Sequence, residues 1–232
     1  MRQLGDGLIR AWLEYTKIQE SPELFHKWVA TSCVLGMLGR KCWVNRGYYL
    51  LYPNEYIFLI GASGKVKKDT AIDIGIAFLE KCPNAPVFFP GRLTGSSLMG
   101  YLSKLSQRKT SDGLDYLDAS VYVTAQEFAG LASKGAMMDD LLTVLTPLYK
   151  SPEYHAYLTR AHEYEVLRKV CVNILGGSTV VWLRDIIPAT AIGGGFLARV
   201  LLVWAERGRD RRADLTLSPE VIELGEKIIS DL

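Results

Sequence analysis

The sequence has little that would mark a metal protein, a secreted protein or a membrane protein. Its four cysteines (Cys33, Cys42, Cys82, Cys171) are scattered without a Cys-x-x-Cys spacing. That argues for free thiols and against a zinc site or a disulfide framework. Histidine is scarce, and His155 and His162 lack a second ligand at metal-binding spacing. The longest apolar stretch near the start, residues 29–38, is interrupted by Thr31, Ser32 and Gly36. It is too short to span a bilayer and too far from the N-terminus for a signal peptide, so a cytoplasmic protein is expected. Neither charge sign dominates: 27 basic against 25 acidic side chains leave +2, so any nucleic-acid surface has to be local. Internal repeats and low-complexity segments are also missing.

What is present organises itself around residues 55–72. An apolar run, Tyr56 to Ile60, stops at Gly61, and a loop with two glycines and three lysines leads into a helical pattern near Thr70. Strand, glycine-rich turn and helix N-terminus bring backbone N–H groups, a positive helix end and a lysine around one small volume, as a polyphosphate requires. The loop Gly61, Ala62, Ser63, Gly64, Lys65, Val66, Lys67, Lys68, Asp69, Thr70 is irregular for that role. Counted from Gly61, Val66 stands where a second glycine belongs and Lys67 where the phosphate lysine belongs. A loop one residue longer makes Lys68 the phosphate lysine and Thr70 the hydroxyl for Mg²⁺. The competing reading is a surface turn with solvated lysines.

The pattern predicts an α/β protein, a mostly parallel five-stranded sheet flanked by helices, with an N-terminal helical cap. Predicted strands are 56–60, 86–90, 119–125, 170–176 and 199–204, with helices at about 70–81, 94–107, 137–149 and 179–187. Residues 8–39 read as helices, the second opening with Ser21 as N-cap and Pro22 as first helical residue. Residues 41–52 suggest a hairpin turning at Asn45-Arg46-Gly47, and 107–118 an exposed loop. The expected organisation is a cap (1–52), a core (53–214) and the start of a C-terminal helical segment (215–232). The apolar stripe of that segment runs to Leu232, which suggests a longer natural chain.

Three further positions carry possible chemistry. Glu127 follows the tip of the third strand, where a carboxylate can orient an attacking water; Gln126 takes the place of a metal-binding Asp. The competing reading is a solvated Glu opening the next helix, favoured there by the helix dipole. Ser178 and Thr179 follow the fourth strand as γ-phosphate contacts or helix caps. Arg199 follows three glycines (Gly193 to Gly195), placed as an arginine finger or as half of a local ion pair.

Taken together, Tyr52-Pro53-Asn54, the 61–72 loop, Glu127-Phe128, residues 173–179 with Trp182-Leu183, and Gly193 to Arg199 resemble one group. It is the P-loop ATPases of phages and mobile elements, helicase-like or primase-helicase-associated replication proteins, akin to AAA+ and superfamily 3 helicase cores. The likeness spans roughly residues 20–210. It implies a P-loop core binding ATP and Mg²⁺, favours Lys68 over Lys67, and makes Thr179 a sensor and Arg199 a finger acting in trans. Implied partners are single-stranded or forked DNA, further copies in a ring (a hexamer), and a primase or other replication protein. A finger in trans needs a head-to-tail interface, which closes into a ring or grows as a filament. Basic candidates for facing DNA are Lys104, Arg108, Lys109, Arg160, Arg168, Lys169 and the run Arg207, Arg209, Arg211, Arg212. Tyr154, Tyr157 and Tyr164 offer weak aromatic interleaving. Asp69 and Gln126 depart from the pattern and keep a second expectation open, a nucleotide-binding scaffold or loader with reduced ATPase activity. A small-molecule phosphotransferase is disfavoured for want of a second substrate pocket.

Overall fold

The computed structural model describes residues 4–113, 115, 117–125, 136–158, 164–186 and 194–232. Its frame is a four-stranded parallel sheet, ordered β4-β7-β3-β8, where β3 is Tyr56–Ile60, β4 Ala119–Ala125, β7 Val170–Ser178 and β8 Val200–Trp204. The central strands β3 and β7 are buried at every residue, which explains why both read as unbroken apolar runs. Side chains of β3 alternate between two cores. Tyr56, Phe58 and Ile60 join a cluster with α4 (Gly95–Ser106) and α5 (Ala136–Leu148). Ile57 and Leu59 join a cluster on the other face with α1 (Leu4–Tyr15), α2 (Glu23–Leu38), α3 (Lys68–Lys81) and α7 (Pro219–Asp231). The N-terminal helices therefore pack together and against the sheet; Ser32 Oγ and the Tyr122 hydroxyl, 2.7 Å apart, join α2 to β4.

Helices appear where periodicity predicts them, including α6 (Val180–Ile186) and the Pro-initiated α7. The hairpin at 41–52 is also present. Val44–Asn45 (β1) pairs with Leu50–Leu51 (β2), and Gly47 adopts φ 83° in the turn. No helix among the described residues is long and apolar enough to cross a membrane. All four cysteines are free.

Three expectations need correction. The strand at 86–90 is reduced to a single parallel bridge, Phe88 to Tyr122, so the sheet has four strands. Pro86 and Pro90 bracket it, and without their N–H groups only Phe89 N to Tyr122 O (2.9 Å) and Tyr122 N to Val87 O (2.8 Å) form. Ser21 does not cap α2: Pro22 is the cap residue, and the Ser21 hydroxyl donates to Lys67 O at 2.8 Å. An antiparallel ribbon, β5 (Tyr154–Leu158) with β6 (Tyr164–Arg168), went unpredicted. Its strands are only five residues long, and His155 in one and Glu165 and Arg168 in the other interrupt them, giving neither a clean alternation nor a continuous apolar run.

Candidate functional site

Adjacent strands β3 and β7 send their chains to opposite faces of the sheet. From β3 the chain enters α3, which packs with α1 and α2. From β7 it enters α6, whose Leu183 packs on the other cluster. The crevice beyond their C-terminal ends is thus a topological switch point, the place where open parallel sheets bind ligands. Loop 61–67 and the N-terminus of α3 occupy it.

Gly61 opens the loop beside β7, its N–H donating to Ser178 O at 3.2 Å. A side chain there has no room, since a Cβ would lie 2.5 Å from a Val66 methyl and 2.9 Å from Ala205 O. Val66, in the place of a second glycine, is fully buried and plugs the inside of the loop. Ala62, Ser63, Gly64 and Lys65 arch outward, exposed, closed by Lys65 N to Ala62 O at 3.3 Å. Lys67 has left-handed backbone (φ 47°), an uncommon conformation for a residue with a side chain, and faces Glu20 at 3.8 Å.

The two candidate lysines are therefore separated by the fold. Lys67 points outward; Lys68, the first residue of α3, turns inward with 2 % of its side chain exposed and Nζ 3.9 Å from Asp69 Oδ1. A lysine is almost never so buried without a task or a partner. Ser178 supplies a second buried polar group at this rim, its Oγ having no hydrogen-bond partner among the described residues. Thr179 follows at the entrance to α6, half-buried. Thr70 is not brought to the same face: it lies two residues beyond Lys68, roughly 200° around the helix, and is exposed. Lys68 and Ser178 have the chemistry a phosphate site uses, a buried cation and a buried hydroxyl; Thr70 does not share the face of Lys68 that a metal hydroxyl would need. No group of three or more metal-type side chains occurs among the described residues.

Gln126 and Glu127 lie outside the described residues. The strand that delivers them ends at Ala125, opposite Gly176 of β7, so the chain leaves the sheet at this same rim. Arg199 sits at the other end of the sheet, in a short 3₁₀ turn (Leu197–Arg199) just before Val200, which pairs with Tyr56. Its guanidinium donates to Gly195 O in its own chain. Burial pushes the Tyr149 hydroxyl up to about 12, with the charge of Arg199 opposing the rise. Between Tyr56 and Ile60 the sheet runs about 13 Å, so Arg199 does not reach the loop of its own chain.

No protein-family model matches this sequence, and no curated protein matches it. The assignment of chemistry to the rim therefore stands on motif and geometry.

Sequence reasoning missed the residues that hold the loop from outside. Arg209 N donates to Glu20 O at 2.7 Å, and its guanidinium donates to Thr16 O (2.8 Å) and pairs with Glu23 (3.3 Å). Gly208 lies so close to Glu20 O and Lys65 O that a Cβ would stand 2.5 and 3.1 Å from them. Segment 205–212 thus straps the α1–α2 connection to the loop, and Arg209 is a clamp rather than a free cation. Beneath it His26 is buried, both ring nitrogens without hydrogen bonds; burial, then Arg209, lower its pKa to about 3. These contacts join residues up to 193 apart in sequence and carry no local motif. Arg108 and Lys169 are likewise engaged, with Asp118 O (3.1 Å) and Asp115 (2.5 Å), while Arg160 lies outside the described residues.

Proposed function

We propose that the chain is an oligomeric, ATP-dependent DNA-acting motor of helicase type, serving phage or mobile-element replication. The observation supporting it is the meeting, at a topological switch point, of a glycine-opened loop, a buried lysine and a buried hydroxyl without a partner. ATP phosphates would lie against the N–H groups of Ala62, Ser63 and Gly64, those of Gly61 and Lys65 being bonded to Ser178 O and Ala62 O, with Lys68 as the phosphate lysine and Ser178 or Thr179 sensing the terminal phosphate. Glu127 would orient water. The position of Arg199 at the far end of its own sheet suits a finger that serves the nucleotide of the next subunit and no other. Mg²⁺ arrives with ATP in this reading; coordination by Thr70 requires the first turn of α3 to re-register. A primase or another replication protein is the partner this reading carries.

A second reading, a nucleotide-binding scaffold or loader with weak turnover, is favoured by two observations. Val66 fills space that a glycine would leave for phosphate, and Asp69 stands beside Lys68. ATP turnover with and without single-stranded DNA, run beside a mass determination in ATP–Mg²⁺, separates the two. Stimulated turnover by a ring-sized species is expected for the motor, and binding without turnover for the scaffold. Lys68→Met is the test of the site: ATP affinity should fall at least tenfold while the unfolding midpoint holds or rises, because a buried charge costs desolvation that an apolar isostere avoids. Unchanged ATP affinity would remove the phosphate site from this loop.

A further inference from the structure

At the end of the sheet opposite the candidate nucleotide site, the β1–β2 hairpin stands clear of the body. Every residue from Lys41 to Leu51 is exposed, on both faces of the ribbon. Trp43, Val44 and Tyr49 are more than half exposed and Tyr48 completely so. A two-stranded hairpin in water is marginal by itself, and this one is held at its root. Arg40 donates to Ser151 O (2.7 Å) and Val170 O (2.9 Å), pairs with Glu153, and lies over the Tyr52 ring at 3.9 Å. At the tip, Asn45 Oδ1 accepts from Gly47 N (2.8 Å) and Arg46 N donates to Tyr49 O (3.0 Å). The ribbon is therefore a fixed platform that presents rings to solvent.

Its charge is one-sided. From Arg40 to Asn54 there are three cations and no carboxylate (Arg40, Lys41 and Arg46 against none). The Arg46 guanidinium has no partner among the described residues. Arg40 is paired with Glu153 and Lys41 donates to Met37 O (3.1 Å), which leaves Arg46 among the exposed rings. Aromatic faces beside an unpaired guanidinium are what a single strand needs, rings for the bases and the cation for a phosphate. A second copy of the chain is a poorer occupant. One exposed apolar area, Leu202 and Trp204 on β8, runs into Arg207, Arg211 and Arg212 against Glu206 and Asp210, with Arg209 paired to Glu23, and this small excess of cations does not attract Arg46.

We propose that the 41–51 hairpin is a stacking platform for single-stranded nucleic acid, with Tyr48, Tyr49 and Trp43 carrying bases and Arg46 a phosphate. This deepens the DNA-acting reading by naming its contact, and it stands on the hairpin's own exposure and charge, apart from the nucleotide site. Fluorescence anisotropy of labelled oligo-dT and oligo-rU with the full chain, in the absence of ATP, tests it. Binding that weakens with salt is expected, and preference between the two oligomers identifies the source. Tyr48→Ala with Tyr49→Ala should weaken binding by about tenfold or more. Arg46→Ala should flatten the salt dependence by about one ion, and Arg46→Lys should restore it. ATP titration of the same variants should match the wild type, so a protein that binds no ATP condemns the nucleotide site and leaves the hairpin result to be read independently. Wild-type protein that binds neither oligomer, or hairpin variants that bind like wild type, overturns the proposal. So does a sedimentation result in which Trp43→Ala dissolves a self-associated species without changing oligomer affinity, which makes the ribbon an interface between copies.

Discussion

The two ends of the sheet are built from similar material and finished in opposite ways. Residues 61–70 and 41–51 are both short, basic and glycine-containing connections beside core strands. The first is drawn into the fold: Val66 is buried within it, Lys68 turns inward, and the 205–212 strap with Glu20 and Ser21 closes over it. The second is tethered at its root, through Arg40, Lys41 and Tyr52, and leaves the side chains of its ribbon exposed. The difference lies in what the neighbouring chain offers. At the C-terminal rim three distant segments converge, whereas at the opposite end the hairpin follows the last turn of α2 and every one of its residues from Lys41 to Leu51 stays exposed. On the proposed reading, the closed end holds a small ligand and the open end a polymer.

The comparison can be broken by three changes, the first having the largest expected effect. His26 lies under the strap near Arg209, and is neutral when folded because burial, then the charge of Arg209, bring its pKa to about 3 instead of the ordinary 6.5. Between those values the unfolded chain takes up a proton that the folded chain refuses. Its stabilising share is therefore whole above pH 6.5 and is lost as pH falls toward 3, about 3 kcal/mol by pH 4. Urea midpoints across this range should show that slope in the wild type and a flatter one in His26→Leu, which forfeits no hydrogen bond. An identical slope in both would mean the closed end does not govern acid stability.

Gly61→Ala comes next. Its Cβ would meet Val66 and Ala205 O, and overpacking of this kind costs on the order of 1–3 kcal/mol. Thermal unfolding should fall accordingly, with ATP affinity falling too if the loop is the site. The smallest effect belongs to the open end. Tyr48→Ala removes a ring that touches nothing, so the unfolding midpoint should not move, even where oligonucleotide binding does. A clear drop in stability would show that the hairpin packs on the body after all, and the contrast between the ends would collapse.

Much of the frame was legible. Strands 56–60 and 119–125 were read to the residue, because a strand buried on both faces is a continuous apolar run whose ends are marked by Gly61 and by the charged loop before Ala119. The strand at 86–90 was over-read: Val-Phe-Phe has the composition of a strand, but the prolines on either side deny it a ladder. Ser21 was misassigned for a related reason. Its place before Pro22 is that of a helix cap, and only the return of the chain at Lys67 offers its hydroxyl a better acceptor. At the site, the loop and its lysines were visible from spacing, and the choice between Lys67 and Lys68 was not. One residue along a helix is roughly 100° of direction, which spacing alone cannot assign while the start of the helix is uncertain.

The sequence by itself determined the α/β frame, the parallel strands and the glycine-rich connection after the first of them, since these follow from periodicity and from local backbone chemistry. Tertiary structure alone decided which lysine is buried, that Val66 plugs the loop, that Arg209 is a clamp, that Arg199 lies at the far end from its own loop, and that the 41–51 ribbon stands free. Those outcomes depend on which distant segments return to the same place, and no local pattern encodes the meeting of residues nearly two hundred positions apart.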